Sequence, residues 1–137
     1  MQEKPILIYQ GKYLTAEFYK DIKDKIPALD YYNTLTKKER SEFFALLRRL
    51  TDRPYGEFLP ETKYRAEDKE NSIYALKFGK NRYLNFTTAH KKIIITNGFR
   101  KKIQKLGKRE KKSLEFAVNA RLDYLKRVKE GRYYEKE

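Results

Sequence analysis

The residues best able to bind or act on a ligand are lysines and arginines, and they concentrate in one part of the chain. Residues 77–112 contain 13 Lys or Arg and a single acid, Glu110. Because surface charge runs normally carry both signs, so long a stretch with almost no acids predicts a binding site for a polyanion. Such a partner is a nucleic acid, an anionic membrane or an acidic protein. A merely solvated basic surface is the alternative interpretation.

The scarce residue types exclude several kinds of chemistry. The chain of 137 residues has no Cys, which excludes disulfides, Cys-ligated zinc, iron–sulfur clusters and a thiol nucleophile. The one histidine, His90, excludes a catalytic histidine pair, and its position in a predicted hairpin tip favours an exposed loop residue over a catalytic one. A two-metal nuclease needs clustered carboxylates, which residues 77–112 lack. We therefore expect a site of Lys, Arg and Tyr with no metal and no cofactor.

The net charge of +14 belongs almost entirely to the second half of the chain. Residues 1–70 contain 14 basic and 13 acidic side chains, whereas residues 71–137 contain 19 and 6. The early apolar run at 6–9 is too short for a signal peptide or a membrane span, so we expect a cytoplasmic protein. A membrane-surface role is disfavoured, because no predicted helix combines a basic face with a broad exposed apolar one.

Apolar spacing predicts the elements of the first half. The segment from Lys4 to Tyr9 is typical of a short buried strand. Thr15 is predicted to cap a first helix that ends at or before Pro27, and the capping box that begins at Thr36 opens a second helix. Apolar residues at helical spacing support both helices: Phe18, Tyr19, Ile22 and Ile26 in the first, and Phe43, Phe44, Leu47 and Leu50 in the second.

The second half predicts a small antiparallel sheet and a closing helix. Apolar alternation favours strands at 73–78, 82–87 and 92–96. A stripe at helical spacing predicts a helix over 110–129, made of Leu114, Ala117, Val118, Leu122, Leu125 and Val128. No repeat or flexible linker interrupts the chain, so the elements together predict one α+β domain over residues 1–137.

Two arginines fall where the pattern calls for apolar residues. Arg82 is in phase with Leu84 and Phe86 in a predicted strand, and Arg121 lies near the middle of the apolar stripe of the last helix. A cation in such a place is unfavourable unless it is paired or its head reaches solvent. Both arginines are therefore candidates for a functional role. The alternative is a stem that packs while its head reaches solvent, or a structural pair with a carboxylate.

The turn after the first of these strands decides whether Lys77 and Arg82 lie on one face of the sheet. The sequence favours a three-residue turn at 79–81 or a two-residue turn at 80–81. In either case we expect Lys77 and Arg82 on different faces, because side chains alternate along a strand. A shared site would then require a bulge or strong twist at this hairpin.

Five segments resemble, in order and spacing, the phage-derived HigB-like toxins of the RelE/ParE superfamily. They read YALK at 74–77, NRYL at 81–84, IIITNG at 93–98, FRKKIQK at 99–105, and a helix with Ala117 followed by RLDYL at 121–125. The chain departs from the family pattern at three places. Ala75 stands where the family has an acid, Lys77 stands at its first arginine, and Leu106-Gly107 replaces the usual Thr-Pro.

The resemblance implies a RelE-like α+β fold with an N-terminal strand, two helices, a small antiparallel sheet and a C-terminal helix. It also implies the toxin of a type II toxin–antitoxin system, a ribosome-dependent endoribonuclease that cuts mRNA and is silenced by a cognate antitoxin protein. Its partners would be the ribosome, mRNA and that antitoxin. Because fold alone does not fix function, a toxin that acts on gyrase by protein binding and a non-cleaving RNA- or DNA-binding domain remain alternatives.

Cleavage by the neighbouring 2′-hydroxyl needs a base, cations that stabilise the phosphorane, and a proton donor for the leaving oxygen. A Lys among other cations has a lowered pKa and can act as a base, whereas Arg binds phosphate oxygens with two parallel donors.

The catalytic candidates are Lys77, Lys101 and Lys102 for proton transfer, Arg82 and Arg121 for the phosphate, and Tyr124 for base stacking or proton transfer. The RNA-binding candidates are Lys80, Arg100, Lys105, Lys108 and Arg109. The alternative for Lys101 and Lys102 is contact with the RNA backbone without catalysis.

Overall fold

A single sheet with helices on both faces carries the described part of the basic segment. The computed structural model describes residues 6–53, 59–101 and 108–134. The elements in chain order are β1 (Leu7–Gln10), β2 (Thr15–Phe18), α1 (Pro27–Tyr32), α2 (Lys37–Thr51), β3 (Tyr64–Asp68), β4 (Ile73–Phe78), β5 (Asn81–Thr87), β6 (Lys92–Arg100) and α3 (Lys108–Lys129). The predicted α+β class is therefore confirmed.

The sheet has six strands in the order β1-β2-β6-β5-β4-β3, so it is larger than the small sheet that the sequence predicts. All neighbouring strands are antiparallel except β2 and β6, which run parallel. Side chains from α1 and α2 cover one face, where Phe43 and Leu47 pack with Tyr83. Side chains from α3 cover the other face, where Ala117 packs with Phe86.

The helix predicted from Thr15 to Pro27 is wrong. Residues Thr15–Phe18 form β2, which pairs with β6, and Pro27 opens α1 instead of ending a helix. Ala16 and Phe18 are buried on the face of α1 and α2, and Glu17 is buried as well. A strand buried on both faces has no period-two alternation and cannot be distinguished from a helix by spacing alone.

The capping box at the start of α2 is confirmed. The Thr36 hydroxyl accepts a hydrogen bond from the Glu39 backbone N–H at 3.1 Å, and the Glu39 carboxylate accepts one from the Thr36 N–H at 2.9 Å. The strands predicted at 73–78 and 82–87 are β4 and β5. The strand predicted at 92–96 continues as β6 to Arg100, which carries it into the basic segment.

Two further elements were not predicted. The edge strand β3 pairs with β4, and the chain after α3 folds back on the sheet. There the Tyr133 hydroxyl accepts a hydrogen bond from the Lys20 N–H at 2.8 Å, and the Tyr134 hydroxyl donates one to Glu17 at 2.6 Å. None of the helices in the described ranges has the length and apolar character needed to cross a bilayer.

Candidate nucleic-acid interface

The β4–β5 hairpin has a turn that neither sequence-based prediction included. Phe78 pairs with Asn81, so the turn consists of Gly79 and Lys80 alone. Gly79 has φ +62°, which a glycine adopts without the strain that a Cβ brings, and Gly is favoured at the first position of one of the two-residue turns typical of hairpins. The expectation that Lys77 and Arg82 lie on different faces of the sheet is therefore wrong. The two side chains share a face without a bulge in either strand.

Lys77 and Arg82 are directly opposed on β4 and β5, so their side chains leave the same face of the sheet. Arg82 is in turn opposed to Phe99 on β6. Lys101 continues this pairing, because its N–H donates to the Lys80 carbonyl at 2.8 Å. Alternation along the strand places Lys101 on the face of Phe99, which is also the face that α3 covers further along the sheet.

A fourth cation comes from the edge strand. Arg65 on β3 is directly opposed to Ala75, and Ala75 precedes Lys77 by two residues on the same face. Arg65 and Lys77 are thus diagonal neighbours, and their charges repel each other. We call Arg65, Lys77, Arg82 and Lys101 the cation cluster.

Backbone carbonyl oxygens hold two of these side chains in place. The Lys77 ammonium donates to the Glu61 carbonyl at 3.1 Å. The Arg82 guanidinium donates to the carbonyls of Gly79 at 2.9 Å and Asn81 at 3.0 Å. Both side chains are half-buried, so each retains donors that an incoming anion can reach.

The electrostatics of the cluster lower the pKa of Lys77. Partial burial is the largest cause, and repulsion from Arg65 and Arg82 adds to it, while Glu67 opposes the shift. Glu67 also forms an exposed ion pair with Arg65 at 3.4 Å. A lysine in this setting releases its proton more readily than an ordinary surface lysine.

Tyr124 lies away from the cation cluster. It is 3% exposed, and its ring packs against Phe86 with centroids 5.5 Å apart. Phe86 follows Arg82 by four residues, about 13 Å along the strand. The Tyr124 hydroxyl lies 2.7 Å from that of Tyr134, within the aromatic group that anchors the end of the described chain. The structure therefore gives Tyr124 a place in the core, without the access to RNA that the predicted role requires.

Two arginines of the predicted site have other surroundings. Within the described residues, no hydrogen bond or ion pair joins Arg121 to the cation cluster; it lies half-buried on α3. Arg100 points to the opposite face of the sheet from Phe99, where its guanidinium contacts the Glu39 carboxylate at 3.0 Å. The Arg100 charge is thus neutralised locally, although its side chain remains 57% exposed.

The other predicted binding residues divide into described and undescribed positions. Lys80 is exposed at the tip of the hairpin, and Arg109 is exposed in the first turn of α3. The catalytic candidate Lys102 and the binding candidate Lys105 lie outside the described residues, as does the side chain of Lys108. His90 is exposed in the turn before β6, as expected for a loop histidine.

Sequence reasoning missed Arg65 because this residue lies in the nearly neutral half of the chain. Only the pairing of β3 with β4 brings it next to Lys77. A weak signal exists in the alternation around position 65, since the edge strand reads YRAED, but nothing in that pattern specifies its partner strand.

The arrangement suits a phosphate chain. Four cations from four different strands or strand ends share one face, and Arg82 offers a planar fork that matches phosphate oxygens. The described residues contain no group of three or more His, Asp or Glu side chains placed to hold a metal ion.

In comparisons with known proteins, no protein-family model and no curated protein matches this chain.

Proposed function

We propose that the protein is a metal-independent endoribonuclease that cuts mRNA on the ribosome, as the toxin of a type II toxin–antitoxin system. The observation that supports this proposal best is the direct opposition of Lys77 and Arg82 within the cation cluster. An amine with a lowered pKa beside a guanidinium is the pair of groups that 2′-hydroxyl attack on a phosphate requires.

The roles follow from the chemistry of each group. Lys77, when neutral, takes the proton of the 2′-hydroxyl, and the oxygen then attacks the adjacent phosphorus. Arg82 and Arg65 stabilise the charge of the phosphorane. Lys101 donates a proton to the leaving 5′-oxygen as the bond from phosphorus to that oxygen breaks. The ribosome, the mRNA and a silencing antitoxin remain the proposed partners, carried by the sequence resemblance of residues 73–125.

A non-cleaving RNA-binding role is the second candidate. It is favoured by the surroundings of Ala75, which is 1% exposed in the core against α3. Position 75 is where the resembling family carries an acid, and in this chain an alanine packs there in the core. In this case the cation cluster would bind the RNA backbone, and no bond would break.

The experiment that separates the two adds the protein to a cell-free translation reaction and maps mRNA 5′ ends. Cuts confined to translated messages, and lost in Arg82→Ala, support the nuclease. Arg132→Ala is the matched control, because it removes an exposed arginine whose ion pair is with Glu130. Intact mRNA with inhibited translation supports the binding role. Intact mRNA, active translation and impaired DNA supercoiling would indicate the gyrase-type target instead.

A further inference from the structure

A second basic surface lies on the opposite side of the sheet from the cation cluster. Helix α2 and the end of α1 enclose a shallow hollow of about 380 Å³. We call it the α2 hollow, and its lining consists of Tyr32, Lys37, Arg40, Ser41, Phe44 and Arg48. Its volume lies near the lower end of the range found for pockets that hold small organic groups.

Arg40 is held rigidly in the wall of this hollow. Its Nε donates to the Tyr32 carbonyl at 3.2 Å and its Nη2 to the Asn33 carbonyl at 3.3 Å. Its guanidinium carbon lies 4.7 Å from the centre of the Tyr32 ring, a cation–π arrangement. An arginine has five N–H donors, so three have no partner within the described residues and are available to an anion. Because the side chain is already ordered, binding loses little of its conformational entropy.

Aromatic rings lie between the cations. Phe44 and Tyr32 meet edge to face with ring centres 6.2 Å apart, and both line the hollow. Lys37 and Arg48 are exposed on the same side of α2, one near each end of the helix. Cations interleaved with aromatic rings are the arrangement that binds single-stranded nucleic acid, whose bases stack while its phosphates pair with the charges.

No carboxylate competes within the lining. Glu39 turns away to Arg100, with which it forms an ion pair at 3.0 Å. Glu42 is two residues from both Arg40 and Phe44, which places it about 200° around the helix from each. The hollow therefore carries three cations unopposed by its own lining residues, although the first half of the chain is almost neutral overall.

A hydrogen bond links the helix that carries the hollow to the hairpin that carries Lys77 and Arg82 of the cation cluster. The Asn81 side-chain amide donates to the Glu39 carboxylate at 3.2 Å. Arg82 of the cluster follows Asn81 in sequence, and Arg40 of the hollow follows Glu39. This contact joins the two elements, while the two basic surfaces lie on opposite faces of the sheet.

We infer that the α2 hollow is a second binding site for single-stranded nucleic acid, in which one base stacks on Phe44 while the flanking phosphates contact Lys37, Arg40 and Arg48. The site goes beyond the proposed function, because it needs neither cleavage nor the ribosome. An acidic peptide is disfavoured, since its carboxylates would use the cations but would not stack on Phe44.

The test measures binding of a fluorescent, 2′-O-methylated oligouridylate, which the cation cluster cannot cleave. The variant Lys37→Gln with Arg48→Gln should weaken binding several-fold. It should also reduce the slope of log K against log salt by about 1.4, or about 0.7 for each lost phosphate contact. The control is Lys38→Gln with Arg49→Gln, an equal charge change at exposed positions outside the lining of the hollow. Equal losses in both double variants would overturn the inference.

A second variant tests the stacking. Phe44→Leu keeps an apolar side chain and should weaken oligouridylate binding about tenfold, in line with the loss of one stacked base. Binding of inorganic polyphosphate should not change. If Phe44→Leu binds the oligonucleotide as the parent does, and polyglutamate of equal charge competes equally well, the hollow is a site for acidic protein and the inference is wrong. These outcomes do not depend on whether the protein cleaves RNA.

Discussion

Lys77 and Arg82 face each other across β4 and β5, separated along the chain by only four intervening residues. The two-residue turn makes this opposition a local property of the hairpin. It brings a group that can release a proton next to a group that stays charged at any ordinary pH. The role of Lys77 can therefore be tested without removing positive charge from the site.

Lys77→Arg should retain RNA binding but reduce cleavage about 10²–10⁴-fold, the range for loss of a general base. An arginine preserves the cation but does not deprotonate in a protein. The measurements are the binding constant for 2′-O-methylated RNA and the rate of mRNA cleavage during translation. Lys80→Arg, at the exposed hairpin tip, is the control. Unchanged cleavage in Lys77→Arg would remove Lys77 from the mechanism.

Arg65→Gln should raise the pKa of the Lys77 amine, because repulsion from Arg65 contributes to lowering it. The pKa is measured by an NMR titration of the lysine side-chain carbons in labelled protein. Arg132→Gln serves as the control and should leave the Lys77 resonance unmoved, since Arg132 pairs with Glu130. A Lys77 pKa that falls or stays constant in Arg65→Gln would contradict the proximity of these two cations.

Gly79→Ala should reduce the free energy of unfolding by about 1 kcal/mol, because a Cβ disfavours the positive φ of this turn residue. The matched control is Gly131→Ala, since Gly131 has φ +72° and, like Gly79, no atom near its added Cβ. Both variants should lose similar stability in denaturant titrations, but only Gly79→Ala should weaken RNA binding. Equal RNA affinity in the two variants would mean that the turn does not position the cluster.

Tyr124→Phe distinguishes a core residue from a catalytic one. The change removes the hydroxyl contact with Tyr134 but keeps the ring that packs on Phe86. We expect stability to fall by about 1 kcal/mol, the typical net contribution of one hydrogen bond. RNA cleavage per folded molecule should be unchanged. A large loss of cleavage at full stability would restore the catalytic role that the sequence suggests.

Acid should weaken the link between α2 and the hairpin. Hydrogen bonds from the Thr36 N–H, the Asn81 amide and Arg100 lower the pKa of Glu39 to about 2. Because the folded pKa lies below the unfolded value, Glu39 contributes stability that is complete above about pH 5. That contribution is lost as the pH falls towards 2. The stability difference between the parent and Glu39→Gln, measured in urea at a series of pH values, should therefore shrink below pH 5. A stability difference that grows as the pH falls would contradict the lowered pKa of Glu39.

The sequence predicts the elements that have a strong local pattern. It does not predict an element whose conformation depends on pairing with a distant strand. The Thr36 capping box and the strands β4 and β5 have local signals, and the structure has them as predicted. Strand β2 has no such local signal, because both of its faces are buried and its apolar residues do not alternate with polar ones. Its pairing with β6 joins residues that lie far apart in the chain, which no local pattern specifies.

For the candidate site, too, the sequence indicates individual residues but does not show how they are placed relative to one another. The basic segment makes Lys77, Arg82 and Lys101 candidates, since charge density is visible along the chain. Their mutual placement is not visible, because a change of one residue in the turn moves every following side chain to the other face. Arg65 escapes notice because only the sheet brings it from an edge strand to Lys77.

The parallel pairing of β2 with β6 also fixes the order in which the molecule can assemble. Thr15 pairs with Lys92, which is more than 70 residues later in the chain. Glu17 accepts a hydrogen bond from Tyr134, which is more than 110 residues later. These contacts near the start of the chain cannot form until the later residues have been synthesised. The β4–β5 hairpin, by contrast, needs only its own neighbours and can form as soon as it is synthesised. During translation all residues of the charged hairpin are therefore available before those that complete the sheet around it.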